Sequence, residues 1–164
     1  MKFVVYGEPK AKGRPRFRSV GKFVQTYSTK ETTDYENLVK LSFINSGCES
    51  YMNNEPLRCE LKLYKSIPKS ASKKKQNQML NGEIRPTGKP DVDNCIKAIL
   101  DGLNKFAFGD DKQIVELHCY KFYDTTPRAE IEIEMLGGVE NEWVFRLWNT
   151  IRFRKQKFEL WRND

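Results

Sequence analysis

Between Leu57 and Leu63 the odd positions are Leu57, Cys59, Leu61 and Leu63, and the even ones are Arg58, Glu60 and Lys62. An apolar period of two is the pattern of a β-strand with one dry face and one wet one. The chain must therefore build a sheet and cover one side of it. Arg128 to Met135 repeats the pattern, with Ile131 and Ile133 between Glu130, Glu132 and Glu134. Gln113 to Tyr123 reads as another strand, joined to the last by the Asp124-Thr125-Thr126-Pro127 turn, and Lys2 to Tyr6 as a short one.

Helical periods supply the cover. Ser28 with Glu31 makes a capping-box pattern, Tyr35, Leu38, Val39 and Ser42 recur at helical spacing, and Gly47 is placed to end the segment. Farther on, Ile96, Ile99, Leu100 and Leu103 stand at i, i+3, i+4 and i+7, beside a polar stripe of Asp93, Lys97, Asp101 and Asn104. Ser70 to Leu80 is a lysine-rich short helix or loop, and "NGEIRPTGKP" is irregular because its prolines and glycines interrupt both periods. "GEPKAKGRPRFRSVGKF" reads as a loop or edge hairpin. The expected fold is α/β of the α+β kind, a small mixed β-sheet with packed helices.

The expected domain is 1–136. Residues 137–164 form an expected C-terminal helical extension, since Val144, Leu147, Trp148 and Ile151 fall at helical spacing among arginines and lysines. Packing on the domain or on a neighbouring subunit is its first reading, ahead of DNA contact and of binding to a membrane surface.

A length of 164 residues fits one domain with a real core. The formal charge of +7 points to a polyanionic partner, nucleic acid first. MKFVVYGEPK lacks the apolar core of a signal peptide and no run reaches the length of a membrane span, so a cytoplasmic protein is expected. Cysteines at 48, 59, 95 and 119 form no C-x-x-C pair, and His118 is the single histidine, which is not a zinc pattern. The thiols read as reduced and half-buried, and His118 as a strand or surface residue.

Against that basic background, "KPDVDNCIKAILDGLNKFAFGDDKQ" gathers Asp91 and Asp93 before the helix and Asp110 and Asp111 after it. Taken singly, Asp91 reads equally as an N-cap and the Asp110-Asp111 pair as a solvated turn. Together they repel unless something positive sits among them. Lys97, one turn beyond Asp93, is one such group. A divalent cation is the other, and oxygen ligands without histidine or thiolate select a hard ion, Mg²⁺ or Mn²⁺. Such an ion on a basic protein suits phosphodiester chemistry: the lysines and arginines hold the polyanion while the acids hold the metal.

"KPDVDNCIKAILDGLN" followed by "DDKQIVELHCYK", with "KGRPRF" near the start and "RPTGKPD" ahead of the acids, resembles the RusA-type Holliday junction resolvases of phages and prophages over about residues 2 to 136. The resemblance implies a RusA-like fold and a homodimeric, Mg²⁺-dependent endodeoxyribonuclease that binds four-way junctions and nicks opposed strands, in DNA recombination and repair. It implies that Asp91, Asp93 and Asp111 hold the metal, that Lys97 is the catalytic lysine, and that Asp110 is a possible additional acid. A helix between the acids spans close to 20 Å, so either the following loop doubles back or a partner subunit supplies an acid.

Lys10, Lys12, Arg14, Arg16, Arg18 and Lys22 form a candidate clamp on DNA phosphates, and Lys69, Lys73, Lys74 and Lys75 a second basic patch. Neither carries a base-reading device, so the shape of a junction is the expected target. Two rivals remain: a phosphotransferase or glycosyltransferase built on D-x-D, and a noncatalytic branched-DNA-binding protein. The first leaves the basic surface idle, and the second leaves Lys97 and the acids unexplained.

Overall fold

The structure, a computed structural model, describes residues 1–21 and 23–136, without the side chain of Val20. The expected extension at 137–164 and Lys22 lie outside the described residues. The elements are β1 (Lys2–Tyr6), β2 (Arg16–Val20), β3 (Phe23–Tyr27), α1 (Lys30–Ser46), β4 (Leu57–Ser66), α2 (Lys73–Leu80), α3 (Val92–Leu103), β5 (Ile114–Asp124) and β6 (Arg128–Met135). A 3-10 turn, Asp111–Gln113, precedes β5. The mixed α/β expectation holds: a four-stranded sheet ordered β1-β6-β4-β5 stands beside a two-stranded ribbon of β2 and β3.

Alternation sets which side of the sheet is dry. Leu57, Cys59, Leu61 and Leu63 of β4 join Ala129, Ile131 and Ile133 of β6 and Phe3 and Val5 of β1 in one core. Tyr35, Val39 and Phe43 of α1 and Cys95, Ala98, Ile99 and Leu103 of α3 complete it. Each large side chain so buried contributes about 1.5–3 kcal/mol. The α3 stripe is turned slightly from the expected one, because Ile96 and Leu100 only border the core while Cys95 and Ala98 lie within it.

The other face of the sheet is left to water and neutralises its own charges. Glu60 lies opposite Glu132 across the β4–β6 ladder, and each is paired with a lysine, Lys62 at 2.8 Å and Lys2 at 2.9 Å.

One local feature differs from the sequence expectation. Thr29 rather than Ser28 caps α1, its hydroxyl accepting from the Thr32 amide at 3.4 Å. The shift follows from tertiary contact, since the Thr32 hydroxyl also accepts from the Gly13 amide at 3.0 Å. Gly47, at φ 67, ends the helix as expected. β5 and β6 are joined by the expected turn, but they are not partners. β4 lies between them, parallel to β5 and antiparallel to β6, so the Thr125–Pro127 turn steps across the end of β4. The parallel β4–β5 pair requires a long crossover, and that crossover carries α2 and α3.

Candidate active site

Asp91 holds the N-cap position of α3 with extended backbone angles, φ −71 and ψ 143, yet its side chain makes no capping hydrogen bond. An N-cap aspartate ordinarily accepts from the second or third amide of its helix. Here only the backbone carbonyl takes part, accepting from the Cys95 amide at 3.1 Å. The carboxylate is thus left exposed, two residues from the exposed carboxylate of Asp93 in the first helical turn. Both lie where the positive end of the helix dipole favours anions.

The segment leading to Asp91 is fixed from the sheet. Lys121 of β5 donates to the carbonyls of Gly88 and Pro90, both at 2.8 Å. Lys65 of β4 donates to the Lys89 carbonyl at 2.6 Å. Arg85 donates through Nε to the Lys121 carbonyl at 2.8 Å and lays its guanidinium 3.7 Å from the Phe122 ring centre. Phe122 stacks on Tyr64 at 5.3 Å, and Arg128 lies 3.8 Å from the Tyr64 ring centre. This stack of two rings with a cation at each end ties an otherwise irregular loop to rigid strands. None of it was foreseen, although Lys121 had a signal: it shares the strand parity of Leu117 and Cys119, where an apolar residue is expected.

Lys97 follows Asp93 by one turn on an exposed face of α3, with Nζ 3.8 Å from Asp101 Oδ1. Asp101 is also hydrogen-bonded to Lys12 Nζ, which lies 3.4 Å from Glu36 Oε1 on α1. Burial alone would lower the Lys12 pKa, but Asp101 and Glu36 outweigh it and the ammonium is held above its usual range. Lys12 therefore differs from the other expected clamp residues: its charge is engaged between α1 and α3. Its amide donates to the Asn94 carbonyl at 2.8 Å, so this arm joins the β2–β3 ribbon to the helix bearing Asp93. Lys10, Arg14, Arg16 and Arg18 are exposed, as are Lys69, Lys73, Lys74 and Lys75. The last three occupy the first turn of α2, which carries no acid, an arrangement the helix dipole disfavours unless an anion approaches.

At the other end of α3, Asp110 and Asp111 sit on a turn organised by Gln113. The buried Gln113 amide donates to the Tyr51 and Glu55 carbonyls, both at 3.3 Å, and accepts from the Asp110 amide at 3.0 Å. Asp110 is spent locally: it accepts from the Lys112 amide at 3.2 Å and faces Lys105 at 3.4 Å. Those contacts, the Lys112 amide first, hold its carboxyl below the usual range. Asp111 is exposed and, among the described residues, makes no ion pair within 4 Å.

The chain does not bring the two ends together by itself. The α3 helix is about 18 Å long at 1.5 Å per residue, and among the described residues no three His, Cys, Asp or Glu side chains gather as a metal site would require. Asp91 and Asp93 form one carboxylate pair, and Asp111 stands apart. The donor set itself, exposed carboxylates without ion-pair partners among the described residues and with no nitrogen or sulfur among them, fits a hard divalent cation. His118 is exposed on β5, paired in register with Glu60.

Comparison with known proteins accords with these features. The sequence profile of the family described as "Endodeoxyribonuclease RusA" matches residues 6–134. An uncharacterized Bacillus subtilis protein, YqaN, is 38% identical over 140 residues, 84% of this chain and 98% of its own length. The "crossover junction endodeoxyribonuclease rusA" of Lactococcus phage r1t is 32% identical over 111 residues, 67% of this chain and 77% of its own.

Proposed function

The chain belongs to the RusA endodeoxyribonuclease family, and from that premise we propose that it binds four-way DNA junctions as a homodimer and nicks opposed strands by metal-dependent phosphodiester hydrolysis, serving recombination and repair. The observation that carries the reading is the Asp91 carboxylate, set at a helix N-terminus and withheld from the capping bond it would ordinarily make. A side chain that forgoes local satisfaction next to a second free carboxylate is poised for a ligand.

In this reading Asp91, Asp93 and Asp111 hold Mg²⁺, with Mn²⁺ as a substitute, and Asp110 shapes the turn that presents Asp111. When bound, the ion supplies Lewis acidity toward the scissile phosphate and a water of lowered pKa. Lys97 lies on the Asp93 side of α3, and its ammonium stabilises the charge that develops on the phosphoryl oxygens. Asp101 and Lys12 brace that face of the helix. Lys65, Lys121 and Arg85 keep the Gly88–Pro90 segment fixed so that Asp91 does not reorganise as charge develops. Lys10, Arg14, Arg16, Arg18 and Lys73–Lys75 hold the backbone of the DNA arms.

The test is a labelled four-way junction incubated with the protein, first with Mg²⁺ and then with EDTA. Paired nicks that disappear with EDTA are expected. Asp91→Asn and Asp93→Asn should each lower nicking by roughly 10²–10³-fold, the scale for removing one charge-stabilising group, while junction affinity stays within a few-fold. Tight binding with no metal-dependent nicks would leave a binding module and sink the catalytic reading.

A further inference from the structure

Four side chains form a line of alternating charge behind the Asp91–Asp93 pair: Glu36 of α1, Lys12 of the arm before β2, and Asp101 and Lys97 of α3. Lys12 Nζ is hydrogen-bonded to Asp101 Oδ2 and lies 3.4 Å from Glu36 Oε1. These three are largely shielded, with side chains 25%, 21% and 22% exposed for Lys12, Asp101 and Glu36, whereas Lys97 is 61% exposed. Lys97 and Asp101 stand one helical turn apart, the spacing at which a lysine and an aspartate ordinarily pair. Here the pair is loose, with Nζ 3.8 Å from Oδ1 and beyond hydrogen-bond reach. Among the described residues Lys97 makes no other ion pair within 4 Å, so Asp93, one turn the other way, does not hold it either.

Asp101 is already taken, and the group that takes it is anchored. The Lys12 amide donates to the Asn94 carbonyl at 2.8 Å, the Gly13 amide donates to Thr32 Oγ1 at 3.0 Å, and Ala11 packs on the core. An ammonium on a pinned backbone gives up less freedom on pairing than one on an exposed, flexible stem. The order along α3 also works against Lys97, because a lysine ahead of the acid is the weaker arrangement in a helix.

Resting on the nuclease reading, we propose that Lys12 is a positioning residue for Lys97: it occupies Asp101, so that the Lys97 ammonium stays unheld on the exposed face of α3 and available to a phosphoryl oxygen. Without Lys12, Asp101 and Glu36 would be two carboxylates half-hidden from water with no cation between them. Among the described residues Glu36 Oε1 has no hydrogen-bond partner as it stands, so the demand for a cation at this spot is strong. The nearest ammonium to supply it is that of Lys97, drawn along the helix away from Asp93. A displacement of that kind lowers the rate and leaves affinity alone, since the group acts on charge that develops in the transition state. Lys12 lies two residues before the exposed Arg14. The arm that presents arginines to DNA is thus the arm that keeps Lys97 available.

Three variants test this. Lys12→Met should slow nicking of a saturating four-way junction by roughly 10- to 100-fold, the scale for a slightly misplaced group, while junction affinity and its salt dependence stay at wild-type values. A phosphate clamp behaves in the opposite way: its loss takes about 0.9 off the salt slope and spares the saturated rate, and that result would overturn the proposal. Adding Asp101→Asn to Lys12→Met should restore the rate to near wild type, because nothing then competes for Lys97. A folded double variant that stays slow would also overturn it, even where Lys12→Met alone does not fold. Lys12→Arg, which keeps a cation on Asp101, should retain most of the rate. Mass mapping of Lys97 acetylation, without DNA or metal, reads the same competition directly. Labelling should fall about threefold in Lys12→Met, the scale of one partly shielded ion pair, and recover in the double variant; unchanged labelling would refute the positioning role. If the wild type itself nicks nothing, the nuclease reading fails, while the labelling still decides whether Lys12 sets the place of Lys97.

Discussion

Lys121 occupies a position whose strand parity belongs to the core, and it resolves that conflict by threading its ammonium to two backbone carbonyls. Removing it should leave the fold and unsettle the site. For Lys121→Met the expectation is an intact circular dichroism spectrum and a 10- to 100-fold rise in the Mg²⁺ concentration needed for half-maximal nicking, the usual scale for losing a group that orients metal ligands. A metal titration of the nicking rate reads this, and Lys121→Arg should recover part of it. The cysteines make a second residue-scale prediction. Burial pushes the Cys59 thiol up to about 12 and those of Cys95 and Cys119 up to about 11. Since the thiolate is the reactive form, a thiol reagent at pH 8 should modify Cys48 well before the other three, as mass mapping would show. Asp91 shows how a residue type underdetermines its role. The residues before a helix offered capping or chemistry, and the structure keeps the cap position while withholding the capping bond; no pattern in the letters distinguishes those outcomes. Lys12 was less legible still, since a lysine in "KAKGRPR" looks like its neighbours until Glu36 and Asp101 converge on it.

At the scale of elements, the α1–α3 contact depends on Gly102. A Cβ built there would lie 2.7 Å from the Glu36 carbonyl oxygen and 3.1 Å from Val39 Cβ. In a free helix, alanine at this position would gain about 1 kcal/mol over glycine. Here the clash is with backbone, which cannot rotate aside, and overpacking costs typically 1–3 kcal/mol. The backbone contact at 2.7 Å puts this site toward the upper end of that range, so Gly102→Ala is expected to lower stability by up to about 2 kcal/mol, read as a lower urea midpoint at constant m-value. The elements themselves were largely legible because the strand and helix periods report burial directly: β4, β6, α1 and α3 all lie where alternation or helical spacing puts them. Pairing was not. The turn at Asp124–Pro127 suggests neighbours, but whether β4 slips between β5 and β6 depends on the crossover through α2 and α3, a nonlocal fact no local period encodes. The charge alternation on β6 identified its wet face without revealing that Lys2 and Lys62 would neutralise the Glu60–Glu132 opposition. Gln113 had a similar fate: its place in the acidic motif was visible, and its service as a buried strut under Asp110 was not.

For the whole molecule, the net charge of +7 and its placement make an electrostatic prediction. The β2–β3 ribbon exposes Arg16 and Arg18 on one face opposite Tyr27 and Gln25, and Gln25 accepts from Arg18 at 2.8 and 2.9 Å. A two-stranded ribbon is marginal in water, and the arm leading into this one is tied to the helices through Lys12 and Gly13 and packs Ala11 on the core. Its arginines are therefore presented to a partner more than they stabilise the chain. Each phosphate contact releases counterions and adds about 0.9 to the slope of log affinity against log salt on duplex arms. Replacing Arg14, Arg16 and Arg18 together by alanine should reduce that slope by about 2.7 per subunit if each meets one phosphate, with little change in thermal stability. Binding isotherms for a four-way junction and for a linear duplex, taken between low and moderate salt, measure it. The reduction should be similar for both DNAs, because phosphate contacts carry no shape information. In the proposed homodimer, discrimination between junction and duplex should instead track dimerisation, since two sites held at a fixed separation and angle can engage both continuous arms of a junction only when the subunits stay paired. Dilution below the concentration at which the proposed homodimer dissociates is thus expected to erase the preference for the junction while duplex binding persists. An undiminished preference in the dissociated protein would show that one subunit alone recognises the branch.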